Sequence, residues 1–178
     1  MTSTSSPGKG RPNLRELIVL GLLAAMMIGT KVAMAALPNI HLGAVILAFA
    51  VMLFGWKALY TAAIYILLEG MIYGFGIWWV SYLYCWPILI AMLMAVRKQD
   101  NALLYAVVAG VFGLLFGAFC EIPYLFLIGW KASVAMWIAG IPYDLLHAGG
   151  NFFLCLLLLP TLKKLRPKLL AMLGRKSI

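Results

Sequence analysis

Charge is what this chain has least of. Only 11% of its 178 residues are charged, against about a quarter in a soluble domain. Acidic groups are the scarcest: five Asp and Glu, with two His, against 14 Lys and Arg. The chain is 65% hydrophobic, and its mean hydropathy is +1.03. A soluble globular domain is therefore excluded, and a membrane protein is expected. The net charge of +9 follows loop asymmetry rather than a nucleic-acid-binding face. Cysteines number three, Cys85, Cys120 and Cys155. All lie in apolar runs, so they read as small hydrophobic filler rather than a disulfide framework.

Motifs for chemistry are missing as well. No G-x-S-x-G or S-x-x-K supplies a nucleophile, so no enzyme is expected. No H-E-x-x-H or cysteine pair marks a metal site. Asp144 and His147 have a chelating i, i+3 spacing but lack a dedicated third ligand. No P-loop is present, so ATP is not used by this chain. No tandem inverted repeat of the secondary-transporter kind appears.

What is present is a series of apolar segments. Six are drawn, at about 14–36, 42–56, 58–73, 82–96, 102–128 and 138–162, with breaks at Pro38, Gly55-Trp56-Lys57 and Arg97–Asn101. The expected architecture is an all-α, compact bundle of six transmembrane helices over residues 14–162. A disordered N-terminus, 1–13, precedes it and a basic tail, 163–178, follows it. Placing both termini in the cytoplasm puts 12 of the 14 cations inside, as the positive-inside rule asks. Only Lys31 and Lys131 fall elsewhere. The localisation expected is a bacterial cell membrane, crossed several times.

That orientation gathers the intramembrane polar groups in the outer half: Lys31, Glu69, Glu121, Asp144 and His147, with His41 in the first outer loop. Ionisable groups in spans usually face a bundle interior or a wet cavity. Along the stretch GIPYDLLHAGGN, Asp144, His147 and Asn151 stand at about 0°, 300° and 340° around a helix. They form either one polar wall of a ligand pocket or a hydrogen-bond network that glues helices. Aromatic residues crowd the same side: Tyr73, Trp78, Trp79, Tyr82, Tyr84 and Trp86, then Tyr124, Trp130, Trp137 and Tyr143. Some belong to an interfacial belt. The remainder suit a flat, partly apolar ligand. Gly70, Gly74 and Gly76 make the loop before them a candidate lid.

Helix 1 carries small residues at every fourth position, Gly21, Ala25, Gly29 and Ala33, with Lys31 on the opposite side. That stripe serves either internal packing or docking to another subunit. A similar run, Ala109-Gly113-Gly117, leads to Glu121 and reads as internal packing.

The small-residue stripe, LPNIHLGA at 37–44, FGWKA at 54–58, the Gly/aromatic segment before YCWP, and IPYDLLHAGGNF at 141–152 keep an order and spacing that resembles the substrate-binding S component of energy-coupling factor (ECF) vitamin transporters. The resemblance covers about residues 14–165. It implies a vitamin-like small molecule held in the outer half, a transmembrane coupling subunit, two cytoplasmic ATPases and a loaded subunit that topples in the bilayer. It implies binding by the outer loops and helices 4–6; with the polar and aromatic groups gathered in the outer half, the candidate substrate-binding residues are Lys31, His41, Glu69, Tyr73, Trp78, Trp79, Tyr82, Trp86, Glu121, Tyr124, Tyr143, Asp144, His147 and Asn151. It carries subunit docking onto Gly21, Ala25, Gly29 and Ala33, where the family's A-x-x-x-A is replaced by Ala25-x-x-x-Gly29 and Gly29-x-x-x-Ala33. Among members, the chain looks most like those assigned to cobalamin; folate, riboflavin or a queuosine precursor would also suit aromatics plus carboxylates. Two other readings stand beside this one. One is a stand-alone carrier or channel using Glu121, Asp144 and His147 as a relay. The other is a small intramembrane enzyme or assembly factor.

Overall fold

A computed structural model describes residues 11–174. Residues 1–10 of the expected disordered N-terminus, and Arg175 and Lys176 of the basic tail, lie outside the described residues. Within them the chain is all-α. The helices are α1 (Leu14–Ala33), α2 (Gly43–Phe54), α3 (Ala58–Tyr73), α4 (Ile77–Ala95), α5 (Ala102–Cys120), α6 (Ile122–Leu127) and α7 (Trp130–Met172), with short 3-10 turns at Gly55–Lys57 and Arg97–Gln99. Five helical stretches are long and apolar enough to cross a membrane, with Gly43–Tyr73 and Ala102–Leu127 each taken as one. The protein is a multi-pass membrane protein.

α1 starts where its capping chemistry dictates. The Asn13 side chain accepts from the Glu16 backbone N–H at 2.9 Å, and Glu16 accepts from the Asn13 N–H at 3.0 Å. This capping box satisfies two N-terminal donors that have no helical partner. α1 and α3 run in the same direction. Lys57 donates to Glu16, Thr61 to the Leu20 carbonyl, and Lys31 pairs with Glu69. Going up one helix therefore means going up the other. α2 runs back between them, and Gly55, at φ +60°, makes its reversal. A Cβ at that dihedral is strained, so glycine suits the turn.

α2 is the centre of the molecule. Each of its residues is buried, and α1, α3, α4, α5 and α7 all pack on it. Its sequence, GAVILAFAVMLF, has no polar side chain, and a helix apolar all round is a buried one. α5 and α7 lie antiparallel in the most extensive helix pairing of the fold. Gly113 lets them approach: a Cβ there would come within 2.7 Å of the Ala148 backbone nitrogen. The Ala109-Gly113-Gly117 run is internal packing, as expected.

The helix boundaries differ from the expected ones in three places. α4 begins at Ile77, not 82, so the candidate lid shrinks to the three-residue linker 74–76, and Gly70 lies within α3. Helix 5 breaks at Glu121, where Pro123 in the first turn of α6 cannot continue the ladder. α7 is far longer than 138–162, at 43 residues, or about 65 Å. Its basic end stays helical because Lys163 and Arg166 both pair with Asp100, at 3.2 and 3.3 Å, and because Leu170 is buried.

Candidate functional site

Asp144, His147 and Asn151 do share one face of α7, and it is buried. Their exposures are 3%, 2% and 1%. The face is turned to α5. Asp144 Oδ1 accepts from the Gly117 backbone N–H at 2.9 Å, and Asn151 Nδ2 donates to the Ala109 carbonyl at 3.2 Å. A Cβ at position 117 would collide with the Asp144 carboxyl. Asp144 and Asn151 thus each spend one atom on helix packing, and His147 spends none. The other atoms are left over: Asp144 Oδ2, Asn151 Oδ1 and both His147 ring nitrogens are buried without a hydrogen-bond partner. The Trp137 indole approaches the Asp144 carboxyl, and its buried N–H is likewise without a hydrogen-bond partner. Unpaired buried polar atoms are rare and costly, at about 1–3 kcal/mol each. Four of them lie on one helix face.

The surroundings are aromatic. His147 lies 4.8 Å from the Phe116 ring and 5.7 Å from His41. Trp86 stands at the hub, within 5.2 Å of Tyr65, 5.6 Å of Tyr82 and 6.2 Å of Phe116. Its indole N–H is also unpaired. The α1–α2 loop lies over this group. Asn39, at φ +57°, donates to the Tyr143 carbonyl at 3.3 Å. Ile40 packs where a Gly150 Cβ would sit, at 3.2 Å. His41 Nδ1 accepts from the Gly43 N–H at 3.1 Å, which places the proton of the neutral ring on Nε2. Burial, and then the Lys31 charge, push the His41 pKa down to about 4, so the ring is neutral at pH 7.

Lys31 and Glu69 come together as an ion pair. Glu69 is fully buried, and the Lys31 ammonium lies 4.7 Å from the Tyr73 ring centroid and 5.8 Å from that of Tyr82. Glu121 accepts from the Ser133 hydroxyl at 3.2 Å. Trp79 turns to α3, donating to the Ile66 carbonyl at 2.8 Å. With Leu83 and Pro87 it lines an apolar groove of about 330 Å³ on the α3–α4 side. Trp78 packs edge-on against Tyr82 at 5.2 Å. Tyr124 is half-buried on α6, while Tyr73 and Tyr143 are about half exposed.

Tyr65, Phe112 and Phe116 belong to the aromatic cluster and were not singled out in the sequence. Phe112 and Phe116 are four apart on α5, on the stripe next to Gly113 and Gly117. That spacing was readable, but apolar aromatics in an apolar helix carry little contrast. Among the described residues no group of three or more His, Cys, Asp or Glu gathers for a metal ion.

The α1 stripe is not used in internal packing. Ala25, Gly29 and Ala33 are exposed, and a Cβ on Gly21 or Gly29 would meet nothing within 4 Å. The buried side of α1 is instead Leu20, Leu23, Ala24 and Met27. Compared with known proteins, the chain matches no family model, no curated protein and no solved structure.

Proposed function

We propose that this chain is the substrate-capture (S) subunit of an ECF-type importer for a vitamin-like micronutrient, with cobalamin the first ligand to test. In this reading it crosses the membrane six times, α2 and α3 being separate crossings, and both termini are cytoplasmic. A coupling subunit docks on the open face of Gly21, Ala25, Gly29 and Ala33, and two ATPases supply the energy. The cation-rich end, with Lys57, Arg97, Lys98, Lys163 and Arg166, then faces the cytoplasm. The Asp144 end faces outward.

The observation that carries the reading is the buried face of Asp144, His147 and Asn151. It offers unpaired polar atoms beside stacked rings, the mixture that small-molecule sites use. The unpartnered small-residue face of α1 adds the place for a partner helix.

The test is to purify the chain from a vitamin-rich culture, alone and with coexpressed coupling subunit and ATPases. A tightly bound micronutrient seen by mass spectrometry, and ATP-dependent uptake only with all subunits, is the expected result. An empty protein that moves solutes or ions unaided in vesicles refutes it.

A further inference from the structure

The end of the bundle opposite the Asp144 face holds a second set of unpaired buried atoms, which the capture reading does not use. Tyr105 on α5 is fully buried, and its hydroxyl has no hydrogen-bond partner. Arg166 on α7 donates from Nη1 to Asp100 at 3.3 Å, yet its buried Nε–H is unpaired. The Tyr105 hydroxyl lies within electrostatic reach of Arg97, Asp100 and Arg166. Arg97 is fixed beside them, donating from Nε to the Val51 carbonyl at 2.9 Å and packing its guanidinium 3.4 Å from where a Gly55 Cβ would be. Lys163 pairs with Asp100 from the other side at 3.2 Å.

We propose that Tyr105 and Arg166 form a binding site for a phosphate oxyanion, supplied by the headgroup of an anionic phospholipid. The two unpaired groups are an O–H and an N–H. Both donate, so an acceptor satisfies each of them. Two cations, Lys163 and Arg166, stand against the single carboxylate of Asp100, so the acceptor is anionic. A guanidinium fork and a hydroxyl suit the tetrahedral oxygens of phosphate. The site sits where α4 ends, α5 begins and α7 leaves the bundle, and Arg15, Lys98, Lys164 and Lys168 are exposed at the same end. That is the depth of lipid headgroups, and such basic clusters attract anionic ones. The Arg166 side chain, 15% exposed, gives the headgroup its way in. This inference does not depend on what the Asp144 face captures.

The test uses the full chain in detergent, offered phosphatidylglycerol or phosphatidylcholine, with retained lipid counted by native mass spectrometry. Phosphatidylglycerol is expected to be retained about fivefold or more over phosphatidylcholine, and Tyr105→Phe and Arg166→Gln are each expected to lower that retention about threefold or more. Lys131→Gln, at an exposed cation near the opposite end of α7, leaves it unchanged. Melting curves in lipid-free detergent check that each variant is folded. If Arg166→Gln does not fold, Tyr105→Phe carries the test, because it removes one oxygen and keeps the ring. Equal retention of the two lipids, or full retention by Tyr105→Phe, overturns the proposal. Displacement of phosphatidylglycerol by millimolar inorganic phosphate, without recovery in excess lipid, overturns the lipid as the source and leaves free phosphate as the ligand.

Discussion

Lys57, in the turn before α3, donates to Glu16 on α1 at 2.8 Å, so this ion pair has the opposite polarity to Lys31–Glu69 at the far end of the same two helices. α1 gives the acid at one end and the base at the other. A slide of α1 along α3 would break both pairs at once, and the Thr61 hydroxyl on the Leu20 carbonyl holds the middle. The register of α1, and with it the position of its open face, is set by these three contacts.

Breaking one half of a buried pair should cost more than removing both. Lys31→Met leaves the fully buried Glu69 carboxylate uncompensated and is expected to destabilise the protein by about 3 kcal/mol or more. The double variant Lys31→Met with Glu69→Met should recover most of that loss. Thermal unfolding in detergent, followed by tryptophan fluorescence, measures both.

The α5–α7 contact leaves no room for a methyl group. Gly113→Ala is expected to cost about 1–3 kcal/mol, because the obstacle is α7 backbone and not a movable side chain. Gly117→Ala meets the Asp144 carboxyl instead, so its main effect should fall on ligand capture. Comparing melting temperature with ligand occupancy for the two variants separates these effects.

On the polar face, Asp144→Ala and Asn151→Ala are each expected to weaken capture of the bound micronutrient about tenfold, with expression kept near wild type. Ligand retained through purification, quantified by mass spectrometry, is the readout. Loss of folding in both variants would assign the face to helix packing alone.

Gly29→Leu introduces a large side chain where nothing in the chain opposes it. Stability and ligand capture should be unchanged, while the yield of complex with a coupling subunit should fall at least about tenfold if that face docks. Co-purification on a tagged coupling subunit decides it.

His41 provides a pH dependence with a definite sign. Its pKa is about 4 in the fold and about 6.5 in an unfolded chain. Between those values the unfolded state binds the extra proton, so stability is lost as pH falls through the window. His41→Asn keeps an acceptor for the Gly43 N–H and removes the titration. Melting curves of the two proteins should coincide near pH 7.5 and separate by roughly 1–2 kcal/mol near pH 5, with the wild type the weaker.

Much of this arrangement was legible in the chain. Asp144, His147 and Asn151 share a face because helical angles require it, and their polarity in an apolar run marked them. The identity of α2 as the buried centre was not legible, since an all-apolar helix such as GAVILAFAVMLF fits a lipid-facing span as well as a core. Nor was the α7 length. Lys163 and Arg166 read as a solvated tail until Asp100, more than sixty residues away in the chain, draws them onto the bundle. Long-range ion pairs such as Glu16–Lys57 leave no local pattern either. The aromatic hub at Trp86 was only half visible, because its partners on α5 look like ordinary apolar filler.

Three prolines divide α7, at Pro142, Pro160 and Pro167. Each deletes one backbone hydrogen bond, so bending concentrates where they stand. The helix is then a jointed arm rather than a beam. Its middle piece, between Pro142 and Pro160, holds Asp144, His147 and Asn151 rigidly against α5. The end beyond Pro160 has its own anchor, the Lys163 and Arg166 pairs with Asp100, so the polar face and the basic end are held by separate contacts with one soft joint between them.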